Sequence, residues 1–573
     1  MGLGVLDDKK LSHVPGTATL EDLDPLAAAA RIGGEGLKKA KDGTILVPQP
    51  SGDPKDPLNW PLYQRDIICA ILCILSVIAS TLSPLLAANT LTLTFYFRKS
   101  FTKIALLTGY HLLGVGVAGF VFVTSARVFG KRHLYLFGTV LIIISSAWGG
   151  GSGRNYNSLL AARFFQGVAL APFEALVNAS VGDLYFVHER GLRMALSNLC
   201  LFGGAFFTPV IVGKMTDSIG WQWTFYFIAI FSAVMLPFVV FFCPETAYVR
   251  ESRYDTDTTW SRLGEGGKNS VSQESGNTGG GELYAHELKE ARNGNGSLDK
   301  HHLTAQEDGP IHVPIKFNWF SREALMPFNG LKSQETVLSF TLMTLRPFPL
   351  FFQPGILWAC LIQGALIGWT VLIGIVLAAI MLGAPLWFNE VKTGYMYTGA
   401  FIGAVLGFVL AGVLSDPMVK WMTKRNKGIY EPEFRMILVI PQLIFGCAGI
   451  FGFGITSNNT LKYGWFWPDF FFALEVMGMV LGAVASALYI VDAHREIAIE
   501  GFTCLLIFKN IFSFGLTFSG YDWLVQSGIR PVFVAVGIVQ AVICVTTIPM
   551  YILGKKNRSF FARHDILKMT GLR

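Results

Sequence analysis

Twelve stretches of about 20 apolar residues divide this chain of 573 residues. A helix of that length matches the thickness of a bilayer, and a helix satisfies its own backbone hydrogen bonds in lipid. Only 15% of the residues are charged, against about a quarter in soluble domains. The sequence therefore predicts an all-α membrane protein with twelve transmembrane helices. We place them at about 66–90, 104–126, 133–151, 157–181, 193–214, 222–243, 355–381, 394–415, 435–456, 466–491, 501–521 and 531–553.

The predicted spans fall into two groups of six, which predicts two six-helix bundles. Duplicated halves around a site at mid-membrane are a recurrent plan of secondary transporters. The linker holds a Gly- and Ser-rich part that cannot bury enough apolar surface to fold alone, followed by an interfacial segment. The predicted domains are a cytoplasmic tail over 1–60, a bundle over 61–245, a cytoplasmic linker over 246–354, a second bundle over 355–553 and a cytoplasmic tail over 554–573.

The distribution of Lys and Arg among the short loops predicts that both termini are cytoplasmic. The sequon Asn458-Asn459-Thr460 then falls in an outer loop, which makes Asn458 a candidate glycosylation site. The plasma membrane is the expected location, with the vacuolar membrane as the alternative. Basic loops more often set orientation than bind nucleic acid, so we expect no nucleic-acid partner and a monomer in the lipid bilayer. The eight cysteines have no metal-ligand spacing, and we expect no metal, no cofactor and no enzymatic activity.

Span 4 carries a carboxylate, Glu174, at a depth where a charge costs roughly 2.5 kcal/mol or more. Arg163, Gly167, Glu174 and Asn178 recur at helical spacing and predict one polar stripe that faces a central cavity. No basic residue lies one turn from Glu174. It is therefore a candidate for binding a proton or a cationic substrate, since an isolated carboxyl group can take and release a proton near neutral pH. The alternative is a protonated side chain that bonds a neighbouring helix.

The second half offers an equivalent carboxylate, Glu475, in span 10. Span 11 carries Lys509 and Asn510 near mid-depth. An ion pair between Glu475 and Lys509 would neutralise both charges, because buried charges usually need a partner. Other candidates for lining the cavity are polar or aromatic residues inside spans, namely Asn89, Gln363 and Trp369.

Several motifs resemble the major facilitator superfamily over almost all of residues 60–555. They are GFVFVTSARVFGKRH after span 2, ARFFQG in span 4, GGAFFTPVIVG in span 5, CPET after span 6 and AGVLSDPMVKW after span 8. The sequences NWP, YFVHERG and RNKGIYEPEFR resemble the fungal branch of twelve-span drug:proton antiporters and polyamine transporters. The resemblance implies the major facilitator fold and a transport function.

The resemblance also implies roles for individual residues. The loops after spans 2 and 8 form charge-paired contacts between helices on the cytoplasmic side, and Arg127 stands where the family usually has an aspartate. The second half keeps its acid as Asp416. The gating and motif residues implied in this way are Arg127, Gly130, Lys131, Arg132, Arg163, Gly167, Asp183, Pro209, Gly213 and Asp416. Glycines around Pro209 correspond to a span-5 motif associated with antiporters, although ordinary tight packing explains them equally well.

These observations predict a proton-coupled secondary transporter that moves a small amphipathic or cationic organic molecule by alternating access. Efflux of a drug, toxin or secondary metabolite is the favoured direction. The first alternative is uptake of polyamine-like or other cationic nutrients, because alternating access is reversible. The second is a non-transporting sensor on a transporter fold, which the short C-terminal tail disfavours.

Overall fold

The computed structural model describes residues 3–7, 10–11, 14–19, 38, 46, 49–248, 313–319, 321, 326, 337–494 and 497–572. Twelve helices in this part of the chain are long and apolar enough to cross a membrane, which confirms the predicted twelve spans. The twelve spans are formed by the helices Leu62–Thr81, Phe101–Phe129, Arg132–Gly150, Tyr156–Leu184, Val187–Ile219, Trp221–Phe242, Pro354–Cys360 continued as Leu366–Leu382, Thr398–Arg425, Val439–Ser457, Phe466–Ala493, Ala498–Ser527, and Ile529–Val545 continued as Thr547–Arg563. We number these spans 1 to 12.

Span 7 is continuous only through a π-helical turn, Leu361–Ala365, which joins its two α-helical parts. A π turn inserts one extra residue and shifts which side chains share a face. Shorter elements are the helices Pro57–Asn59, Thr90–Phe97, Val337–Leu345, Pro347–Leu350, Glu390–Tyr395, Pro432–Leu438, Thr460–Tyr463 and Ile566–Met569, and the strands Ala18–Thr19 and Ile429–Tyr430. The predicted interfacial segment is thus partly helical, while residues 249–312 of the linker lie outside the described residues.

The two halves have the same single-glycine connection between their last two spans. The connection between spans 5 and 6 is the single residue Gly220, with φ 95° and ψ 155°, and that between spans 11 and 12 is Gly528, with φ 86° and ψ 159°. These backbone conformations favour glycine because it lacks a Cβ atom. The correspondence supports the predicted two-fold repeat at the level of single residues.

The outer surface of the bundle is apolar where lipid would lie. Phe231 and Val234 on span 6, and Ile402 and Val409 on span 8, are all more than half exposed. Exposed apolar faces of this extent are unfavourable in water and favourable in hydrocarbon. The charged and polar side chains instead lie within each half, between the halves, or at the ends of the helices.

Both chain termini lie at the same end of the bundle. The backbone N–H of Leu6 donates to the carbonyl of Ile552 at 3.0 Å, and the hydroxyl of Tyr551 donates to the carbonyl of Leu3 at 3.0 Å. The first residues of the chain therefore pack against span 12. We call this end the terminal side and the opposite end the distal side.

The N-terminal segment 3–19 is built into the C-terminal half. Strand Ala18–Thr19 pairs antiparallel with Ile429–Tyr430, in the connection between spans 8 and 9. The hydroxyl of Thr17 donates to Glu431 at 2.7 Å. Val5 is also buried, being 1% exposed. The segment therefore contributes both hydrogen bonds and apolar contact to a half that begins more than 300 residues later.

An ion-pair network with Arg558 at its centre holds this junction. The Arg558 guanidinium donates to Glu431 at 2.8 Å and to Glu433 at 2.8 Å and 3.0 Å, and all three side chains are almost fully buried. Arg558 also bonds the carbonyl of Pro15. Buried charges are stable only while they are paired and hydrogen-bonded, so the network links the N-terminal segment to spans 9 and 12.

Replacing Arg558 by Gln should destabilise the protein strongly. It leaves Glu433 buried without its cation, whereas Glu431 keeps its ion pair with Lys555 at 2.6 Å, and we expect a loss of about 3–5 kcal/mol. The thermal midpoint of the purified protein in detergent measures this effect. Arg563→Gln, an exposed position on the same helix, is the matched control and should leave the midpoint nearly unchanged. Equal midpoints for both variants would contradict the role given to the network.

Candidate functional site

A central cavity lies between the two halves. Its volume is about 190 Å³, smaller than the roughly 300–1,000 Å³ of typical drug-sized sites, so this conformation suits a small molecule. Spans 1, 2, 4 and 5 and spans 7, 10 and 11 supply most of its walls. The lining residues are Ser80, Ser83, Pro84, Ala87, Thr108, Leu112, Leu170, Glu174, Leu201, Phe202, Ala205, Phe206, Ile367, Thr370, Val371, Gly374, Ile375, Tyr397, Phe472, Met479, Lys509, Asn510 and Ser513.

The charged groups of this cavity form an ion pair across the two halves. Lys509 Nζ on span 11 donates to Glu174 Oε1 on span 4, and the two side chains are 10% and 15% exposed. The cavity walls around them are mainly apolar, with hydroxyl groups from residues such as Ser513. Each charge thus has the partner that a buried charge requires. The partner of Lys509 is therefore Glu174, and the possible pair between Glu475 and Lys509 is not formed.

Glu475 lies behind the cavity wall and is fully buried. Its Oε1 is 2.8 Å from the hydroxyl oxygen of Thr370, a residue that does line the cavity. Its Oε2 has no hydrogen-bond partner. The isolated carboxyl group that the sequence predicted for span 4 is thus found on span 10. Among the residues that the structure describes, no group of three or more His, Cys, Asp and Glu is placed to hold a metal ion.

Most of the predicted polar stripe on span 4 does not face the cavity. Arg163 is buried and donates to the carbonyl oxygens of Leu82 at 2.6 Å, Ser83 at 3.2 Å and Leu107 at 3.3 Å. The helix of span 1 ends at Thr81, so nearby carbonyl groups lack partners within it and accept the guanidinium hydrogens. The stripe prediction is wrong for Arg163, because its guanidinium group bonds backbone carbonyl oxygens of neighbouring helices instead of facing the cavity.

Gly167 and Asn178 of the same stripe also serve helix packing. A Cβ atom on Gly167 would lie 1.9 Å from the carbonyl oxygen of His111, so spans 2 and 4 approach closely there. Asn178 bonds two side chains of span 5, accepting from Ser197 at 2.7 Å and donating to Asn198 at 2.7 Å. Neither residue lines the cavity, and Glu174 is the member of the stripe that does.

The three additional candidates for lining the cavity lie elsewhere. Asn89 is buried and its Nδ2 is 3.4 Å from the hydroxyl of Thr216 on span 5. Gln363 accepts from Ser486 at 3.0 Å, and Trp369 donates its indole N–H to Gln540 at 3.2 Å. All three predictions are wrong for this conformation, because none of these residues lines the cavity: Gln363 falls within the π turn of span 7 and Trp369 points to span 12.

The span-5 motif closes the distal side. A Cβ atom on Gly213 would lie 2.5 Å from the carbonyl oxygen of Glu390, and one on Gly394 would lie 2.4 Å from the carbonyl oxygen of Pro209. The hydroxyl of Thr92 also donates to the Glu390 carboxylate. Small residues thus allow span 5 to touch the short helix Glu390–Tyr395 that precedes span 8. This motif lies at a contact between the halves.

The loop after span 2 binds the residue that follows span 6. The backbone N–H groups of Lys131 and Arg132 donate to the two oxygens of Glu245 at 2.9 Å and 3.0 Å. Gly130, with φ 88°, leaves space for that carboxylate, since a Cβ atom there would lie 2.3 Å from it. Lys131 Nζ is 2.5 Å from Asp183 at the end of span 4. An acid at a helix N-terminus is electrostatically favourable, so Glu245 supplies negative charge that the motif itself lacks.

Arg127 forms a contact between the halves instead of one within its own half. Its guanidinium pairs with Glu500 at the start of span 11. Asp416, at the equivalent place in the second half, bonds Arg435 at 2.9 Å, and Arg435 also bonds Asp492 at 3.0 Å. Arg127 thus pairs with the opposite half, whereas Asp416 pairs within its own half.

Sequence reasoning missed most of the residues that line the cavity, and two of them show why. Thr370, which connects Glu475 to the cavity, follows Trp369 in an apolar run, and the only signal was a hydroxyl in that run. Phe206 in span 5 lines the cavity but has no polar atom to distinguish it from the lipid-facing residues of the same helix.

Comparison with known proteins places this architecture in a family. The family model described as Major Facilitator Superfamily matches residues 68–499, and the chain belongs to that family. Protein HOL1 of Saccharomyces cerevisiae is 26% identical, with 92% of each chain aligned. The multidrug transporter TPO1_2 of Candida glabrata is 22% identical over 89% of this chain and 78% of its own. The proton:xylose symporter XylE shares the fold, with a TM-score of 0.53 and 12% identity over 85% of this chain and 95% of its own.

These relatives agree with the structural features described above. The protein is an integral, multi-pass membrane protein and a transporter of the fungal type, not an enzyme. Transporters of this family carry small-molecule substrates. The central cavity with its ion pair is therefore the candidate site of transport.

Removing both members of the Glu174–Lys509 pair should destabilise the protein less than removing one. Glu174→Gln or Lys509→Gln alone leaves a poorly solvated charge without its partner, whereas the double variant leaves none. Thermal midpoints of the four proteins in detergent measure the coupling. Asp217→Asn, an exposed carboxylate, controls for charge removal itself. Additive losses in the double variant would contradict a direct pair.

Restoring the family's acid at position 127 should weaken the terminal-side contact. Arg127→Asp places two carboxylates opposite each other at Glu500, and like charges repel. We expect slower transport, with partial recovery when Glu500→Arg is added, because Arg346 lies 3.8 Å from the Glu500 carboxylate and would repel a cation at that position. Flux of a transported probe in cells at matched protein levels measures both rates. A double variant as slow as Arg127→Asp alone would contradict the pairing of Arg127 with Glu500.

Proposed function

We propose that this protein is a proton-coupled secondary transporter of small organic cations. The observation that carries the proposal is the ion pair between Glu174 and Lys509, which joins the two halves inside the central cavity. A cationic substrate that binds Glu174 competes with Lys509 for the same carboxylate. Binding thereby removes a charged link between the halves, and this provides a physical reason for substrate binding to promote the rocking motion.

The remaining cavity walls support an amphipathic substrate. Phe202, Phe206 and Tyr397 present aromatic rings, and aliphatic side chains cover much of the rest. Aromatic faces attract cations, and apolar walls favour hydrocarbon chains, while Ser80 and Thr108 provide hydrogen-bonding groups. An amine with an alkyl or aromatic body matches these features.

We infer that the substrate is exported in exchange for protons, across the plasma membrane. The span-5 motif, the resemblance to drug:proton antiporters and the relative named a multidrug transporter support this direction. With the terminal side in the cytoplasm, the distal contact of Gly213 with Glu390 closes the outer path. Asn458 is exposed at the distal end of span 9, where glycosylation would be possible under this orientation.

Uptake of a polyamine-like cation is the second candidate. The cavity volume of about 190 Å³ favours it, because a slender polyamine fits this volume more easily than a bulky drug. The same carboxylate and the same competition with Lys509 would serve either direction. The two candidates therefore share the site and differ in the direction of net flux.

Flux in whole cells tests both candidates. Cells that express the wild type, Glu174→Gln or Asp217→Asn are loaded with labelled spermidine or with a fluorescent organic cation, and movement in both directions is followed with and without a proton uncoupler. We expect uncoupler-sensitive export of the fluorescent cation by the wild type and by Asp217→Asn. Glu174→Gln should lose at least 10-fold in rate, because the substrate then lacks its charged partner.

The outcomes separate the alternatives. Net accumulation of spermidine by the wild type, lost in Glu174→Gln, would change the direction to uptake. Full activity of Glu174→Gln would contradict the role of Glu174, provided that immunoblots show equal amounts of both proteins in the membrane.

A further inference from the structure

Glu475 is held in place by close packing of its helix. A Cβ atom on Gly449 of span 9 would lie 2.4 Å from the backbone nitrogen of Glu475, so spans 9 and 10 meet there with no side chain between them. The Glu475 side chain extends to Thr370 of span 7, within a core cluster that includes Leu366, Ile450 and other buried apolar residues. The carboxyl group is therefore buried, and its hydrogen bond connects it to Thr370, a residue that lines the cavity.

The groups that face this carboxyl group are neutral. From span 7 it meets Thr370, from span 9 it meets Gly449, and on its own helix Met479 lies one turn away, with its sulfur 3.5 Å from the Thr370 hydroxyl. Lys509 of span 11 is engaged by Glu174. Within the described part of the chain, an ionised Glu475 would lack the paired charge that burial requires.

The hydrogen bonds around Thr370 can be counted. Its hydroxyl oxygen is 3.0 Å from the carbonyl oxygen of Leu366 and 2.8 Å from Glu475 Oε1. A hydroxyl group has one hydrogen to donate, and a carbonyl oxygen and an ionised carboxylate both only accept. Both contacts are full hydrogen bonds when Glu475 carries a proton. Glu475 then donates to Thr370, and Thr370 donates to Leu366.

We propose that Glu475 is the proton carrier of this transporter and that the Thr370 hydroxyl relays the proton between Glu475 and the central cavity. The inference rests on the proposed proton-coupled function. In release, the Thr370 hydrogen turns from the Leu366 carbonyl to a water molecule in the cavity and passes to it in the same step in which the Glu475 proton moves to the Thr370 oxygen. The proton leaves as hydronium, Thr370 stays a neutral hydroxyl group and Glu475 becomes ionised. Uptake of a proton reverses both steps.

This arrangement gives the two carboxylates separate tasks. Glu174 is exposed to the cavity and paired with Lys509, which suits it to exchange partners with a cationic substrate. Glu475 exchanges only a proton, because Thr370 leaves no passage for a larger group. Thr370 acts through Glu475 and is a positioning and relay residue.

The first experiment needs no substrate. Infrared spectra of the purified full-length protein in lipid, compared between the wild type and each variant, show the stretching band of a protonated carboxyl group. We expect such a band in the wild type, its loss in Glu475→Gln and its retention in Asp217→Asn. Transfer to heavy water shifts the band at the rate of proton exchange. Thr370→Val, which has the same shape without the hydroxyl, should slow this exchange at least 10-fold, and Thr370→Ser should retain the wild-type rate.

The absence of a band that depends on Glu475 would overturn the proton assignment. A wild-type exchange rate in Thr370→Val would overturn the relay. Because both readouts are independent of transport, they decide the protonation of Glu475 and the relay through Thr370 even where the proposed function fails.

The second experiment measures coupling in proteoliposomes with labelled spermidine and labelled tetraphenylphosphonium as probes. Glu475→Gln should lose accumulation driven by a pH gradient at least 10-fold while retaining exchange of probe for probe at equal pH. Thr370→Val should slow only the driven process. Driven accumulation by Glu475→Gln at the wild-type level would overturn the inference. No driven movement of either probe by the wild type would instead contradict the proposed function, and the infrared result would then stand alone.

Discussion

The central physical constraint on this structure is that a charge inside hydrocarbon needs a partner. Glu174 and Lys509 satisfy it by pairing across the two halves. Arg163 satisfies it with backbone carbonyl groups just beyond the C-terminal end of span 1. Glu475 has no charged partner among the described residues, and a neutral acid is compatible with its fully buried position. The positions of these few groups decide which helices face the cavity and which charges are free to change partners.

Close helix contacts allow these pairs to form. Gly167 lets spans 2 and 4 touch, and Gly449 lets span 9 approach the backbone of Glu475. Gly213 and Gly394 do the same where the two halves meet on the distal side. In a membrane, helices gain little from apolar contact that lipid cannot also provide, so tight packing at small residues contributes much of the association energy. The same glycines therefore determine both the stability of the bundle and the geometry of its site.

The sequence predicted the number and the approximate bounds of the spans because length and hydropathy carry that information directly. It also identified Glu174, Glu475 and Lys509 as exceptional, since each is a charge in an apolar run. It did not predict which of the two glutamates pairs with Lys509, because helical spacing describes one helix and says nothing of contacts between halves. It placed Gln363 in the cavity from its polarity alone, and it did not predict the π turn of span 7 in which this residue lies.

The N-terminal segment of this chain belongs spatially to its last third. Strand Ala18–Thr19 and the contacts of Thr17 complete a surface made by spans 9 and 12, whereas Trp60 packs against the linker beside the first half. A gene cut between the two six-helix bundles would therefore give two unequal fragments. The first would carry a peptide that the second needs, and reassembly from separately expressed halves would depend on that peptide crossing from one fragment to the other.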